Sequence, residues 1–184
     1  VASAPAEPPA STAAESQVIG RSVQGRPITA VQFGDPAAEP VALVVGLIHG
    51  DEHAGLRVVD RIEARADELQ GVQLWVIPSV NPDGARAHAR KNAHGVDLNR
   101  NFPYRWRGGL PHSDGYYPGP EPASEPETRA VIDFVRQIKP QISIWYHQPW
   151  GAVLACRGRP AIAARYAKLV KMGTSCRGSG LPGT

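Results

Sequence analysis

The sequence lacks three features that would each point to a different class of protein. No apolar stretch in the 184 residues approaches the ~20 residues that span a bilayer, so we expect no membrane span. Only two cysteines are present, and their spacing is not that of a metal site. Basic residues form no stripe interleaved with aromatic ones, and the net charge is only +3, so no nucleic-acid partner is expected. What remains is a globular domain with 42% apolar residues, enough for a core.

The first 16 residues, VASAPAEPPASTAAES, are rich in alanine, proline, serine and glutamate and carry too little apolar surface to fold. With no initiator methionine, they predict a flexible leader left after processing of an exported protein; an engineered start of the chain is the alternative. We therefore expect a secreted or cell-envelope location. There, Cys156 and Cys176 are expected to form one disulfide, worth roughly 3 kcal/mol for a loop of about 20 residues, with two buried free thiols as the alternative.

Alternating strand and helix patterns predict an α/β fold. Residues 17–23 and 27–33 have the pattern of a hairpin that turns at Gly25. The apolar runs 41–48 and 72–80 predict strands buried on both faces. A helix between them is indicated by an apolar stripe at three- or four-residue spacing: Leu56, Val59, Ile62, Ala66 and Leu69. A strand–helix–strand unit of this kind has parallel strands.

The second half of the chain begins with a long segment, 81–123, rich in asparagine, proline, glycine and arginine. It predicts a structureless loop, and loops of that length are usually functional. Ser124 and Glu127 have the spacing of a capping box, so a helix is expected to begin there. A third buried strand at 141–147 and a helix at 160–171 follow. The predicted architecture is three-layered, with a mainly parallel mixed sheet and helices on both faces.

Two of the predicted strands end in a histidine. In GLIHGDEHAG, His49 ends the first buried strand and Glu52 enters the first turn of the next helix, while His147 ends the third buried strand. Because the carboxyl ends of parallel strands meet at one edge of a sheet, these three side chains can converge. A catalytic zinc takes three such protein ligands and keeps a fourth position for water. Alternatively, Asp51 and Glu52 only favour the helix N-terminus electrostatically.

His53 follows His49 by four residues, which is the spacing of a zinc-binding pair on a helix. Since His49 is expected to lie in a strand, the two side chains need not share a face. His53 is therefore left out of the predicted ligand set.

Five motifs resemble the zinc carboxypeptidase family and occur in its order: IHGDE (48–52), NPDG (81–84), RKN (90–92), GVDLNRNFP (95–103) and WYHQ (145–148). The nearest resemblance is to the bacterial murein peptide amidase branch, which also carries the SEPET found at 124–128. The resemblance covers about residues 17–184. It implies that the leader, 1–16, precedes a zinc peptidase domain, 17–184, that is C-terminally incomplete and holds one Zn²⁺ ion.

The resemblance also implies roles for individual side chains. It gives the metal ligands as His49, Glu52 and His147. Asp97 orients the first ligand histidine through its other ring nitrogen, and Arg90 stabilises the oxyanion. Asn99 and Arg100 grip the free carboxylate of the substrate, which suits a planar guanidinium.

The family also needs a glutamate as general base late in the fold, but no acidic residue follows Asp133. Glu52 is assigned to the metal, Glu125 and Glu127 to the helix start, and Asp114 has no supporting context. Because acid–base help contributes ~10²–10⁴-fold, a chain without the base should hydrolyse poorly. The preferred interpretation is a fragment of an ordinary hydrolase. The alternatives are a natural zinc-binding relic, a shifted reading frame, or a base from a partner chain.

The expected function is zinc-dependent hydrolysis of a peptide or amide bond next to a free carboxylate. Its expected target is the γ-D-glutamyl–diaminopimelate bond of murein peptides. A metallocarboxypeptidase acting on peptide C-termini is the alternative enzyme, with a deacylase of the aspartoacylase kind less favoured. The alternative of another class is an inactive module that binds zinc and cell-wall peptides. We expect a monomer.

Overall fold

One five-stranded sheet organises the chain in the computed structural model, which describes residues 15–149, 151–154 and 160–175. Its strands are β1 (Glu15–Arg21), β2 (Pro27–Gly34), β3 (Val41–Val45), β4 (Gln73–Ile77) and β5 (Ile142–Trp145). They lie in the order β1-β2-β4-β3-β5. β2 is antiparallel to both β1 and β4, whereas β3 is parallel to both β4 and β5. The sheet is therefore mixed, with parallel and antiparallel pairings equal in number rather than mainly parallel.

The helices are α1 (Ala54–Glu63), α2 (Pro82–Ala87), α3 (Leu98–Asn101), α4 (Pro126–Ile138) and α5 (Pro160–Leu169). A 3-10 turn, Ala66–Glu68, follows α1. Two short parallel strands, β6 (Ala152–Leu154) and β7 (Gly173–Ser175), flank α5 in the sequence. None of the helices in the described part of the chain combines the length and the hydropathy of a membrane span.

The sheet is covered on both faces, because alternate residues of a strand point to opposite sides. On one face, Leu43 and Val45 of β3 belong to the same core cluster as Val131 and Phe134 of α4. On the other face, Val44 clusters with Val59 of α1. The predicted three-layer α/β arrangement is confirmed. α1 is shorter than its apolar stripe suggested, because the chain turns at 64–65 and continues as the 3-10 turn.

The hairpin of β1 and β2 is anchored by Asp83 of the NPDG motif. Asp83, in the first turn of α2, accepts hydrogen bonds from Ser22 Oγ (2.8 Å) and from the backbone N–H of Gln24 (2.9 Å), and it forms an ion pair with Arg26. Burial alone would raise the pKa of Asp83, but these hydrogen bonds and the Arg26 charge lower it. Asp83 thus ties the hairpin turn to the segment that follows β4.

Replacing Asp83 by asparagine is expected to lower the free energy of unfolding by about 2–3 kcal/mol at pH 7, because hydrogen bonds to a buried charge are lost. A carboxylate whose pKa is lowered by folding stabilises the protein above its unfolded pKa, near 3.9, and that contribution disappears as the pH falls through the folded pKa. The difference between wild type and D83N in urea unfolding should therefore shrink below about pH 4.

Asp133→Asn is a suitable control for that experiment, since the side chain of Asp133 is 76% exposed. If D83N lowered the free energy of unfolding by the same amount at pH 7 and at pH 3, the charge of Asp83 would not be what holds the hairpin.

The segment 81–123 differs from its prediction, because it contains the two short helices α2 and α3. Each is held at its start by a side chain: Asn81 Oδ1 accepts from the N–H of Gly84, and Asp97 Oδ1 accepts from the N–H of Asn99. Helices of six and four residues carry no apolar stripe that a sequence pattern could detect.

Two further predictions fall wholly or partly outside the described residues. Cys156 and Cys176 both lie there, so the disulfide remains a prediction. Residues 1–14 of the expected leader also lie there, whereas Glu15 and Ser16 are the first residues of β1.

Candidate metal centre

The candidate site lies where the parallel strands β3 and β5 end. Val45 and Trp145 are paired at the end of this ladder, and the N–H of Tyr146 still bonds to the carbonyl of Val45. β3 ends four residues before His49, earlier than predicted, and residues 46–48 continue as buried chain without ladder pairing. The pairing brings the segments that follow both strands to the same edge of the sheet.

Three ligand atoms meet at this edge. His49 Nδ1 is 3.0 Å from Glu52 Oε2, and His147 Nδ1 is 2.9 Å from the same carboxylate oxygen and 3.2 Å from His49 Nδ1. Tetrahedral bonds of about 2.0–2.1 Å would place ligand atoms about 3.3 Å apart, close to these separations. The three side chains therefore fit a single small cation such as zinc.

Glu52 reaches the centre from a turn rather than from the first turn of a helix. Its N–H bonds to the carbonyl of His49 at 3.0 Å, and α1 begins only at Ala54. Burial alone would raise the pKa of Glu52, but hydrogen bonds from His147 and His49 lower it to about 2. The carboxylate is thus ionised at neutral pH, as a metal ligand must be.

The imidazole of His49 is oriented by Asp97. The ring is 2% exposed, and its Nε2 lies 3.1 Å from Asp97 Oδ1. An ionised carboxylate only accepts hydrogen bonds, so the bond to Asp97 places a proton on Nε2. Burial alone would lower the pKa of His49, but the hydrogen bonds to Asp97 and Glu52 raise it. A metal at Nδ1 would take the place of the proton that Nδ1 otherwise shares with Glu52, while Nε2–H stays bonded to Asp97.

Arg90 lies between Asp97 and the ligand atoms. Its Nε and Nη2 both donate to Asp97 Oδ2, at 3.0 Å and 2.8 Å. Its Nη1 lies 3.2 Å from His49 Nδ1 and 3.5 Å from Glu52 Oε1. Because Asp97 fixes one edge of the guanidinium, the other edge faces the centre of the site.

Arg100 and Asn99 lie in α3, beside Asp97. Arg100 is 7% exposed, and its Nη1 donates to the backbone carbonyl of Asn99. No carboxylate of the described residues lies within ion-pair distance of this guanidinium. Burial lowers the pKa of Arg100, and the nearby charge of Arg90 adds to that effect although Asp97 opposes it. A buried cation without an ion-pair partner in the described chain can receive an anionic ligand.

A close backbone crossing places Arg90 next to the turn that carries His49 and Glu52. A Cβ at Gly50 would collide with the backbone of Gly84, so no larger residue fits there. The N–H of Gly50 and the Nδ2 of Asn81 both donate to the carbonyl of Arg90. In the sequence, NPDG stands out only as a motif of the family resemblance, and nothing there indicates this contact.

A second buried network supports the segment that leads to Asp97. Asn92 Nδ2 donates to Glu125 Oε2 (2.7 Å) and to Glu127 Oε2 (3.2 Å), while its Oδ1 accepts from the N–H groups of His94 and Val96. Burial, with the charge of Glu125, raises the pKa of Glu127 despite the hydrogen bonds that Glu127 accepts. Both glutamates therefore hold this loop in place by accepting hydrogen bonds from Asn92.

The predicted capping box is wrong. The N-cap of α4 is Glu125, without a side-chain cap, and Glu127 Oε1 accepts instead from the N–H of Val23, 104 residues away in sequence. Ser124 Oγ donates to Glu125. The carboxylate of Glu127 therefore joins the start of α4 to the turn between β1 and β2.

Two other acidic or basic candidates lie outside the cluster. His53 hydrogen-bonds through Nε2 to the carbonyl of Gly50 and stacks on His88, with ring centroids 5.2 Å apart. Asp114 Oδ1 accepts from the N–H of Tyr116, two residues on, as in an Asx turn. Asp114 therefore has a structural role that the sequence did not indicate.

Tyr116 is the site residue that sequence reasoning missed. Its ring centroid lies 5.0 Å from Arg90 Cζ and 5.5 Å from Arg100 Cζ. A tyrosine in a glycine- and proline-rich loop carries no sequence signal for such a position.

Comparisons with known proteins agree with this geometry. A family profile described as zinc carboxypeptidase matches residues 9–154. The chain belongs to the zinc carboxypeptidase family. Murein peptide amidase A of Escherichia coli (strain K12) is 35% identical over 150 residues, which cover 74% of this chain and 59% of the amidase. The catalytic chain of mouse (Mus musculus) carboxypeptidase N is 34% identical over 176 residues, covering 74% and 38%.

Solved structures of the zinc carboxypeptidase family confirm the fold. A murein-tripeptide amidase from Escherichia coli O157 aligns with a TM-score of 0.76 and 28% identity, over 97% of this chain and 77% of that one. Carboxypeptidase A from Helicoverpa armigera aligns with a TM-score of 0.78 and 20% identity, over 93% and 54%, which shows the fold alone. The description of the family names zinc, which agrees with the His–Glu–His cluster of the described residues. The chain spans 59% of the length of the amidase from strain K12.

Proposed function

We propose that this chain forms the zinc-binding part of a hydrolase that cleaves an amide bond next to a free carboxylate in murein peptides, in the cell envelope or outside the cell. The observation that carries the proposal is the meeting of His49 Nδ1, Glu52 Oε2 and His147 Nδ1 beside two arginines. The 35% identity to a murein peptide amidase supports this substrate class, although the carboxypeptidase N chain is 34% identical.

In this proposal His49, Glu52 and His147 hold one zinc ion. Zinc, when bound in such a site, polarises the scissile carbonyl and lowers the pKa of a water ligand towards 7. Asp97 keeps the proton of His49 on Nε2, so that the Nδ1 lone pair stays available to the metal.

Arg90 is proposed to receive the negative charge that develops on the carbonyl oxygen. Its Nη1 is the donor on the side of the ligand atoms, 3.2 Å from His49 Nδ1 and 3.5 Å from Glu52 Oε1, because Nε and Nη2 are used by Asp97. A donor fixed before the reaction costs no reorganisation when the charge appears, which is how oxyanion sites reduce barriers.

Arg100 and Asn99 are proposed to hold the free carboxylate. Arg100 is buried and its charge has no ion-pair partner among the described residues, so a substrate carboxylate would complete it. A guanidinium and a carboxylate pair through two parallel hydrogen bonds, which also sets the orientation of the substrate. We assign the general-base step to no residue of this chain.

The proposal predicts cleavage that depends on both zinc and the free carboxylate. The zinc-loaded protein is expected to release diaminopimelate from the tripeptide L-Ala-γ-D-Glu-meso-diaminopimelate, slowly because no residue of this chain is assigned the general-base step. It is expected to leave untouched the same peptide with the diaminopimelate carboxylate next to the scissile bond amidated. Chromatography of the products measures both reactions, with chelator-treated protein as the control.

Each contrary result has a distinct meaning. Cleavage of ordinary peptides with the murein tripeptide intact would favour a metallocarboxypeptidase, an enzyme type that the carboxypeptidase N relative also represents. Tight tripeptide binding without any turnover would favour the non-catalytic binding module. A protein that retained no zinc would overturn all three.

A further inference from the structure

Tyr116 is more exposed than any other part of the site. Its residue surface is 55% exposed, whereas Arg100 is 7% exposed, and yet its ring contacts both guanidiniums. A tyrosine on an open loop would ordinarily turn its ring freely in solvent. Here the ring has two cationic neighbours, and each cation over an aromatic face is worth about 0.5–1 kcal/mol at an exposed position.

The backbone on both sides of Tyr116 is fixed. The N–H of Tyr116 donates to Asp114 Oδ1 at 2.7 Å, and the carbonyl of Tyr117 accepts from the N–H of Asp97 at 2.9 Å. The second bond connects this loop to Asp97, the residue that holds both His49 and Arg90. The position of Tyr116 is thus set relative to the metal centre, not only relative to its own loop.

Arg90 and Arg100 carry charges of the same sign, and the ring of Tyr116 is a neighbour that favours both. Arg90 is held by Asp97 through two hydrogen bonds, but Arg100 has no carboxylate within ion-pair distance in the described part of the chain. Burial and the charge of Arg90 lower the pKa of Arg100, while Asp97 and Tyr116 counteract this. An aromatic ring whose centroid lies 5.0 Å from one guanidinium carbon and 5.5 Å from the other offers each an electron-rich surface without neutralising either. Both remain available to an anionic ligand.

We propose that Tyr116 is a positioning residue of the carboxylate pocket, which holds Arg90 and Arg100 side by side so that one acylated amino acid can contact both. The inference rests on the proposed function and deepens it, since it names the residue that couples the carboxylate end of the ligand to the carbonyl end. It acts through the ring, not through the phenolic hydroxyl.

Binding without turnover tests this. Chelator-treated protein is titrated calorimetrically with N-benzoylglycine and with its amide, which differ only in the carboxylate. The wild type should bind the acid more tightly than the amide. Tyr116→Ala should weaken binding of the acid roughly three- to ten-fold and leave the amide unchanged, since only the charged ligand uses the guanidiniums. Tyr116→Phe should stay within about two-fold of wild type for the same reason.

Tyr104→Ala is the matched control, because Tyr104 is 54% exposed and lies in the same stretch between α3 and α4. Thermal unfolding of each variant checks that the fold is intact. Equal affinity of wild type and Tyr116→Ala for the acid would overturn the inference. So would an equal loss for acid and amide, or a loss in Tyr116→Phe as large as in Tyr116→Ala.

The outcomes for the inference and for the proposed function separate. If Tyr116→Ala weakened binding of the acid but not of the amide, and the protein did not hydrolyse murein tripeptide, the proposed substrate would be wrong and the role of Tyr116 would stand. If the protein hydrolysed the tripeptide and Tyr116→Ala changed neither binding nor KM, the proposed substrate would stand and the role of Tyr116 would be wrong. A wild type that bound acid and amide equally would remove the carboxylate pocket and this inference with it.

Discussion

Replacing His147 by alanine is expected to weaken zinc binding by more than about 100-fold, since loss of a mere supporting partner of a ligand already costs 10–100-fold. His147 lies two residues after the end of β5 at Trp145, whereas His49 and Glu52 come from one turn after β3. Without it, the remaining two ligands cannot enclose a tetrahedral ion. Titration with a chromophoric chelator measures the change directly.

His147 is a better residue for this test than His49. Its side chain is 25% exposed, and its described contacts are to the other two ligands, so its removal leaves the core intact. His49 is 2% exposed and is bonded to Asp97, so its loss would also disturb a buried pair. His112→Ala serves as the control, because it removes an exposed histidine remote from the ligand atoms in sequence and bonded to the carbonyl of His94.

Unchanged zinc affinity in the His147→Ala protein would contradict the assigned centre. It would mean that the ion, if bound, sits elsewhere or is held by other residues. A parallel loss in His112→Ala would point instead to non-specific binding by surface histidines.

The elements that sequence reasoning predicted are those with long or continuous apolar patterns. The run 41–48 and the stripe of α4 report which faces are buried, and burial determines where strands and helices pack. The parallel order of β3 and β4 then follows from the handedness and shortness of βαβ connections. From that order alone, the histidines after β3 and β5 could be expected at one edge.

The features that could not be predicted depend on partners far away in sequence. Glu127 has the spacing of a capping residue, but Val23 and Asn92 approach it in the folded chain and take its oxygens. In the sequence, Asp83 is only one residue of the NPDG motif, and the fold reveals that it fixes the hairpin. Local spacing gives the residues that are able to make a bond; the tertiary structure decides which bond is made.

The candidate site also contains contacts that the sequence predicts and contacts that only the tertiary structure determines. His49 and Glu52 are close in the chain, and their convergence needs only one turn. The contact of Tyr116 with Arg90 and Arg100 needs the Asx turn at Asp114 and the bond from the N–H of Asp97 to the next residue. No periodicity or residue spacing encodes such an arrangement.

Asp97→Asn is expected to weaken zinc binding 10–100-fold, the usual cost of removing the partner of a ligand histidine. Asp97 Oδ1 accepts from His49 Nε2 and from the N–H of Asn99, and Oδ2 accepts twice from Arg90. Asparagine can keep the first pair through its carbonyl, but its NH₂ group then faces the donors of Arg90. The charge that makes the metal-bound imidazole of His49 a stronger ligand is lost even where the orientation of the ring survives, and the orientation of Arg90 is lost as well.

This double role gives the Asp97 variant a signature that a ligand variant lacks. In Asp97→Asn, zinc affinity and affinity for N-benzoylglycine should fall together, because Arg90 leaves its place beside Tyr116. In His147→Ala, zinc affinity alone should fall, since His147 makes no described contact with either arginine. Competition with a chelator measures the first quantity and calorimetry of metal-free protein the second, with the exposed Asp133→Asn as control. If Asp97→Asn lost zinc but bound the acid as wild type does, Asp97 would orient the histidine only, and Arg90 would be held by other groups.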